Sequence, residues 1–269
     1  MKKLSLATFG AAAITLGTGE VAKAGLNFIS TDAGQVGVIN TSTGGFTEVA
    51  RGSGSFLPML DLALSSDNKL FGTDGSNLVG INPALGTFST IGTLGASLNS
   101  LGFGSNNSLY GTGDSGFYGI NTLTGAASLI AYIADFSSSG DIAYHVANNR
   151  FLATSSGDSL WSIDLNGSAA KIGDIGFSRV YGLLFDQGTL YGYAGQQQIA
   201  INTATGAGTF SKNVAGVDGS IYGAASAAPV PEPATVLGSL LGMGALGSVR
   251  SRHKSQRQQK QQAGALNRS

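Results

Sequence analysis

The sequence predicts an all-β protein, a five-bladed β-propeller made of repeats of about 40 residues. A hydrophobic segment that ends in Ile-Asn or Ile-Asp occurs five times, between an aromatic segment and a glycine turn. The five isoleucines are Ile39, Ile81, Ile120, Ile163 and Ile201, at intervals of 42, 39, 43 and 38 residues. No helical period is sustained over residues 25–226. Four short strands per repeat of this length are typical of propeller blades, so we expect the propeller to span residues 25–228.

Each repeat contains four short segments that read as strands. An aromatic strand such as 70–73 precedes the Ile-Asn strand, and a third strand such as 87–91 follows the glycine turn. The fourth segment is rich in small residues and occurs at 62–64, 101–103, 142–144, 182–185 and 221–223. Small side chains suit the crowded position beside a central channel. We therefore assign each of these segments as the innermost strand of the next blade.

This assignment predicts how the ring closes. The repeats begin with three strands, near Phe28, Ile39 and Phe46, and end with a lone inner strand at 220–225. The last strand should therefore join the first three, which removes the exposed strand edges. The alternative is an open solenoid, whose end repeats would need capping elements that are not visible in the sequence.

Composition and charge restrict the function. Residues 25–229 carry six basic and 13 acidic side chains, which disfavours nucleic acid as a partner because its binding depends on neutralising phosphates. Absence of cysteine excludes disulfides, thiolate catalysis and Cys-ligated zinc. Only two histidines are present, His145 and His253, too few for a multi-His metal centre. We predict no cofactor, no metal site and no catalytic residue.

The N-terminus has the features of a secretory signal peptide over residues 1–24. Lys2 and Lys3 precede an apolar run at 4–16, and Ala22 and Ala24 form a small-x-small pattern with cleavage before Gly25. We therefore expect export. The alternative is an uncleaved anchor, for which the apolar run is short.

The C-terminus combines a proline motif, a charge-free segment and a basic cluster. The motif consists of Val230, Pro231, Glu232 and Pro233, and the cluster contains Arg250, Arg252 and Lys254. Between them, residues 234–249 carry no charge. As a helix they would rise about 24 Å, and flanking arginines extend that reach to the interfaces of a bilayer of roughly 30 Å. The sequence thus predicts a transmembrane helix at 234–249 and a polar, disordered tail at 255–269.

In this order, behind a signal peptide, the three parts of residues 229–254 resemble the PEP-CTERM sorting signal of bacterial envelope proteins. The resemblance implies recognition by an exosortase, a membrane enzyme, with processing near Pro231-Glu232-Pro233. It also suggests exopolysaccharide or other envelope material as a partner. The chain departs from the family pattern in its tail, because residues 255–269 continue beyond the basic cluster.

Several residues are candidates for binding chemistry. Asp74, Asp114 and Asp158 recur near equivalent hairpins; they favour tight turns, and the alternative is a calcium or sugar site. The Ile-Asn segments likewise favour turn chemistry in which the Asn side chain bonds its own backbone. Four aromatic residues are possible platforms for stacking a sugar, although Trp161 fits blade packing better: Tyr118, Tyr132, Trp161 and Tyr193.

Two function hypotheses remain open. The first is a non-enzymatic exported propeller that binds envelope or matrix material. The second is a carbohydrate-active enzyme, a glycosidase or lyase, whose carboxylates would be Asp61 and Asp141, the two acids that directly precede inner strands. His145 is the only histidine near such a strand, and no nucleophile accompanies it in the sequence. Fold alone does not decide between the two.

Overall fold

A computed structural model describes residues 26–226, which form a closed ring of five four-stranded antiparallel sheets. The predicted five-bladed propeller is confirmed. From the innermost strand outwards, blade 1 contains β20 (Ile221–Ser226), β1 (Asn27–Thr31), β2 (Gln35–Asn40) and β3 (Gly45–Arg51). Blade 2 contains β4 (Asp61–Leu64), β5 (Leu70–Thr73), β6 (Asn77–Asn82) and β7 (Thr87–Thr93).

The other three blades repeat this order. Blade 3 contains β8 (Gly102–Phe103), β9 (Leu109–Gly113), β10 (Gly116–Ile120) and β11 (Ala127–Tyr132). Blade 4 contains β12 (Ser138–His145), β13 (Arg150–Ser155), β14 (Ser159–Asp164) and β15 (Ala169–Asp174). Blade 5 contains β16 (Val180–Asp186), β17 (Thr189–Ala194), β18 (Gln197–Ile201) and β19 (Gly208–Asn213). Two short 3₁₀ turns, Gly54–Phe56 and Val146–Asn148, interrupt the connections.

The ring closes with strands from both ends of the repeat region. β20 pairs antiparallel with β1, with Ser226 opposite Asn27 and Ala224 opposite Ile29. Blade 1 therefore takes its inner strand from the end of the chain and its other three strands from the beginning, as the sequence predicts. The solenoid alternative is wrong, because the last repeat packs against the first.

The small-residue strands line the axis, as predicted. Each inner strand contacts the inner strands of both neighbouring blades. Because every blade is antiparallel, its loops fall on two faces. The upper face carries the hairpins at 32–34, 74–76, 114–115, 156–158 and 195–196, with the connections from one blade to the next. The lower face carries the turns at 41–44, 83–86, 121–126, 165–168 and 202–207, and there the described chain begins and ends.

Five apolar cores lie between neighbouring blades. Successive residues of a strand point to opposite faces of its sheet, so a strand in the ring serves two cores. Val79 of β6 packs toward blade 1, whereas the preceding Leu78 packs toward blade 3. This explains why the middle strands are apolar on both faces and show little polar alternation.

The recurring Asn residues form the predicted turns. In four repeats the Asn Oδ1 accepts backbone N–H groups two and three residues later, as Asn82 does from Ala84 and Leu85. Asn40, Asn121 and Asn202 make the same pairs of bonds. In the Asp164 repeat, Asn166 instead accepts the N–H of Ser168. The pattern is turn chemistry.

The glycine after each of these turns contacts the outer strand of the preceding blade. A Cβ on Gly125, which has a φ of +81°, would lie 2.6 Å from the carbonyl oxygen of Gly92 in β7. Gly206 meets Gly173 of β15 in the same way. Each outer strand has a register shift near this point. The turns therefore cover part of the edge that each blade would otherwise expose.

The sequence-based expectations for the two chain ends lie outside the described residues. These are the signal peptide with Ala22 and Ala24, the motif at 230–233, the segment at 234–249 and the basic cluster with Arg250, Arg252 and Lys254. Among residues 26–226, no helix is long and apolar enough to cross a membrane.

Truncation tests the closure. A chain of residues 25–219 lacks β20 and leaves β1 without its inner partner, so we expect loss of cooperative unfolding and lower solubility relative to residues 25–226. Thermal unfolding followed by circular dichroism is the measurement. Equal melting of the two chains would show that β20 does not hold the ring closed.

Candidate functional site

The two acids that precede inner strands meet at the axis of the ring. Asp61 begins β4 of blade 2, and Asp141 lies in β12 of blade 4. Both side chains are completely buried, and each carboxyl affects the pKa of the other by hydrogen bonding. We call these two residues the axial carboxyl pair.

The axial carboxyl pair accepts backbone N–H groups from the inner strands around it. Asp61 Oδ1 accepts the N–H of Leu62, and its Oδ2 accepts that of Leu101, at 2.7 and 2.6 Å. Asp141 Oδ2 accepts the N–H groups of Leu183 and Ala224, at 2.6 and 3.1 Å. Asp61 belongs to blade 2 and Asp141 to blade 4, and the four N–H groups come from blades 2, 3, 5 and 1. The two carboxyl groups therefore connect all five blades at the axis.

Protonation of the pair follows from its burial. Desolvation is the main cause that raises the pKa of both carboxyls well above the usual range, and the charge of Asp141 raises the pKa of Asp61 further. Two adjacent carboxylates in a dry site cannot both ionise cheaply. Asp141 Oδ1 is buried and receives no N–H from residues 26–226. Because the pKa of both carboxyls is raised, we expect a proton held between Asp61 and Asp141 to supply the donor that this oxygen lacks.

Glycine makes room for the pair. A Cβ on Gly223 of β20 would lie 2.5 Å from the Cα of Asp61 and 2.7 Å from its Oδ1. Only a residue without a side chain fits so close to the buried carboxyl. The small residues of the inner strands thus have a second role besides fitting the narrow axis.

The glycosidase hypothesis does not fit this geometry. The two carboxyls of the axial pair are close together, as the hypothesis requires, but they are buried and three of their four oxygens accept backbone N–H groups. The cavity along the axis, lined by the inner strands, has a volume of only about 30 Å³, enough for a water molecule and far too small for a sugar. A sugar cannot reach these carboxyls in this structure. His145 lies at the other end of β12, where its ring stacks on Phe185 at 5.1 Å.

A groove opens on the upper face above the axis. One part, of about 310 Å³, is lined by Leu60, Asn99, Ser139, Gly140, Tyr181 and Tyr222. A second part, of about 440 Å³, lies where blades 5 and 1 meet and is lined by the same two tyrosines together with Asp32, Phe177, Arg179 and Gln197, among others. Both volumes are in the range of small-ligand sites. We call the combined depression the tyrosine groove.

Tyr181 and Tyr222 form the centre of the tyrosine groove. They occupy equivalent positions in the inner strands β16 and β20, one residue before the level of the axial carboxyl pair, each followed by glycine. Their rings meet edge to face, with centroids 5.4 Å apart. Both side chains are half-buried, so each presents part of its surface to the groove.

Polar side chains of the groove are held by hydrogen bonds. Asn99 donates to the Ser138 carbonyl oxygen and accepts from the Ser138 hydroxyl, at 3.2 and 2.7 Å. The backbone N–H of Arg179, a residue with a φ of +58°, donates to Asp158. Asp32 accepts the N–H of Ser220. These bonds fix the loops, so the groove is largely pre-formed.

The predicted aromatic platforms turn out mostly to be core residues. Trp161 is 8% exposed and packs edge to face on Phe136, which confirms the packing interpretation. Tyr193 is fully buried, and burial raises its pKa. Tyr118 is half-buried, and Tyr132 is 76% exposed on the outer strand β11. None of the four lines the tyrosine groove, whose own tyrosines, Tyr181 and Tyr222, are not among the predicted platforms.

The hairpin aspartates serve the turns that contain them. Asp74 accepts the N–H groups of Ser76 and Asn77, and Asp114 and Asp158 adopt positive φ. Within residues 26–226, no three acidic or histidine side chains come together as a metal site would require. The hairpin aspartates do make the upper face acidic.

Comparison with known proteins supports the fold only. Neither a protein-family model nor a curated protein sequence matches the chain. A structural genomics protein of unknown function from Bacteroides thetaiotaomicron is similar over 73% of this chain, with a TM-score of 0.53 and 16% identity. The chain spans 58% of that neighbour's length.

A second similar structure is a chain of a nidogen/laminin complex. It has a TM-score of 0.51 and 12% identity, and the match covers 76% of this chain and 98% of that one. At such identities the two likenesses show a shared propeller-like architecture. They do not extend to ligand or activity.

The pH dependence of stability tests the shared proton. Since the pair has a raised pKa in the folded state, the folded chain binds more protons than the unfolded chain above about pH 4. The contribution of the pair to the free energy of unfolding should therefore fall as pH rises above about 5, with a slope of up to about 1.4 kcal/mol per pH unit for one proton. His145, whose pKa is lowered by burial, contributes with the opposite sign in the wild type and the variants alike.

Substitution of one partner should flatten this slope. In Asp61→Asn an amide donor replaces the titrating proton, so we expect the slope to decrease by up to the contribution of one proton. Asp114→Asn is the control, because it changes an exposed upper hairpin. Urea unfolding at a series of pH values gives the slopes. An unchanged slope in Asp61→Asn would contradict the shared proton.

Proposed function

We propose that this protein is a non-enzymatic, exported propeller that binds polysaccharide of the bacterial envelope or matrix through the tyrosine groove. The pair of half-buried tyrosines at the centre of a pre-formed groove is the observation that supports the proposal most strongly. Tyrosine rings offer flat apolar surface with a polar edge at low entropic cost. Amide, hydroxyl, carboxylate and guanidinium groups around them suit the hydroxyl groups of a sugar.

The polysaccharide part of the proposal also comes from the chain ends. The signal-peptide pattern and the resemblance of residues 229–254 to the PEP-CTERM signal support export, an exosortase as partner and residence in the envelope. In this proposal the segment 234–249 holds the protein in the membrane until processing near Pro231-Glu232-Pro233. The propeller then remains attached to, or is released from, the cell surface.

Binding should depend on the two groove tyrosines. We expect residues 25–228 to bind one or more polysaccharide fragments on a glycan array, and Tyr181→Ala and Tyr222→Ala each to weaken binding about tenfold or more, as for a central aromatic contact. Tyr132→Ala is the matched control, since this tyrosine is exposed on β11 and distant in sequence and blade from the groove. Melting temperatures show that the variants fold.

The array result decides between this function and others. Equal weakening by all three substitutions would place binding outside the tyrosine groove. Hydrolysis of a bound fragment by the wild-type chain would favour the enzymatic alternative, with catalytic groups other than the axial carboxyl pair.

Sorting is tested separately by the proline motif. Glu232→Ala leaves the apolar segment at 234–249 unchanged, so membrane insertion should persist while exosortase processing is lost. Mass spectrometry of the wild-type protein from its host should show a new C-terminus near residues 231–234, and the variant should keep the longer form. A mature wild-type protein that retains residues 250–269 would contradict sorting.

A further inference from the structure

The lower face of the ring is where the described chain begins and ends. Leu26 precedes β1 and Ser226 ends β20, an inner strand, so the chain leaves the ring near its axis on this face. Only seven residues separate Ser226 from the apolar segment that begins at Ala234. Even fully extended, the chain from Ser226 to Ala234, which is eight Cα–Cα steps, spans at most about 29 Å.

This reach restricts how the ring can sit above a membrane that holds residues 234–249. To bring the upper face to the bilayer, the chain would have to pass three outer strands, about 14 Å, and then the length of a six-residue strand, about 20 Å. The sum exceeds the reach of the connection. The lower face or an edge of the ring must therefore face the bilayer.

Two leucines at the tips of neighbouring lower turns favour the lower face. Leu85 in the turn of blade 2 is 74% exposed, and Leu123 in the turn of blade 3 is 86% exposed. Both turns are shaped by Asn side chains and need no apolar residue at the tip. In the turn of blade 5 the position of Leu123 is occupied by Ala204 and that of Leu85 by Thr205. Exposed leucines at such tips suit contact with lipid.

The charges of the two faces also favour contact between the lower face and the bilayer. The upper loops carry six acids and one base, Arg179: Asp32, Asp74, Asp114, Asp135, Asp158 and Asp218. At the adjoining strand ends Arg51 pairs with Glu48 and Asp218, and Lys171 pairs with Asp174, so the upper face keeps an excess of acids. The lower loops and adjoining strand ends carry three acids, Asp67, Asp164 and Asp186, and three bases act there, Lys69, Arg150 and Lys212. An anionic lipid surface repels the upper face and is neutral toward the lower one.

We infer that the lower face rests on a phospholipid bilayer, with Leu85 and Leu123 in the headgroup region. The tyrosine groove then points away from the membrane toward extracellular material. This inference rests on the membrane segment of the proposed function, and it adds the orientation and the contacting residues.

The chain contains no cysteine, so single cysteines can report the orientation. Leu123→Cys probes the lower face, Leu57→Cys the upper face and Leu129→Cys the outer strand β11; the latter two sites are 42% and 44% exposed. Each variant of residues 25–269 is labelled with the fluorophore NBD and reconstituted into vesicles of phosphatidylethanolamine and phosphatidylglycerol. Brominated lipid then quenches probes that touch the bilayer.

We expect strong quenching and a blue shift at position 123 and little change at position 57 or 129. Quenching at 129 instead of 123 would show an edge-on ring, and quenching at none would show a ring held off the bilayer. If the chain 25–228, measured without lipid, shows a blue shift at position 123 as large as that of the reconstituted chain, a second copy of the protein covers this face. Each of these outcomes overturns the inference.

Flotation of the labelled vesicles separates this inference from its premise. A chain that does not float with the vesicles lacks the proposed membrane segment, and both proposals fail. A chain that floats without quenching at position 123 keeps the membrane segment and rejects only the orientation.

Discussion

Inward-pointing backbone N–H groups at the axis are the constraint on which this propeller depends. The inner strands are too close to the axis for water to solvate these groups freely, and an unsatisfied buried N–H costs about 1–3 kcal/mol. The axial carboxyl pair satisfies four of them directly, from Leu62, Leu101, Leu183 and Ala224. The pair itself needs one shared proton, because burial raises the pKa of Asp61. It also needs a neighbour without a side chain, and Gly223 is that neighbour.

The remaining structure follows from a closed, fixed axis. Outward from it, each blade serves two apolar cores, and the glycine turns cover the outer edge of the preceding blade. Above it, Tyr181 and Tyr222 stand on inner strands whose following residues contact the axial carboxyl pair: Leu183 and Ala224 donate to Asp141, and Gly223 lies against Asp61. A rigid base of this kind keeps the tyrosine groove pre-formed, which lowers the entropic cost of binding. The same acids that resemble catalytic carboxylates in the sequence thus act as structural supports.

Most of the fold is predictable from the sequence because the repeat is regular. The spacing of the Ile-Asn segments gives the number of blades, and the lone strand after Val217 gives the closure. The proximity of Asp61 and Asp141 is also predictable, since both precede inner strands. Their burial is not, because it depends on how far the ring narrows at that level and on the N–H groups of other blades.

The aromatic residues show where sequence reasoning fails. Trp161 and Tyr193 lie in middle strands, and in a ring both faces of such a strand are covered by neighbouring blades. Tyr181 and Tyr222 lie at the upper ends of inner strands, where the ring opens. Their common pattern, a β-branched residue, Tyr and Gly at equivalent positions of adjacent blades, was a sequence feature that could have identified them. The ligand's chemistry depends on loops from several blades, whose juxtaposition no single repeat encodes.

The protonation state of the axial carboxyl pair is the most direct test of this account. Carbon-13 NMR of aspartate side chains in residues 25–228, with Asp61→Asn and Asp141→Asn used for assignment, reports each carboxyl as pH is varied. We predict that the two carboxyls titrate together and hold one proton between them at neutral pH, while Asp67 and Asp174, whose pKa values are lowered by hydrogen bonds from Lys69 and Lys171, are ionised. Two buried carboxyls that are both fully ionised at neutral pH and titrate near the ordinary aspartate value of about 3.9 would contradict it.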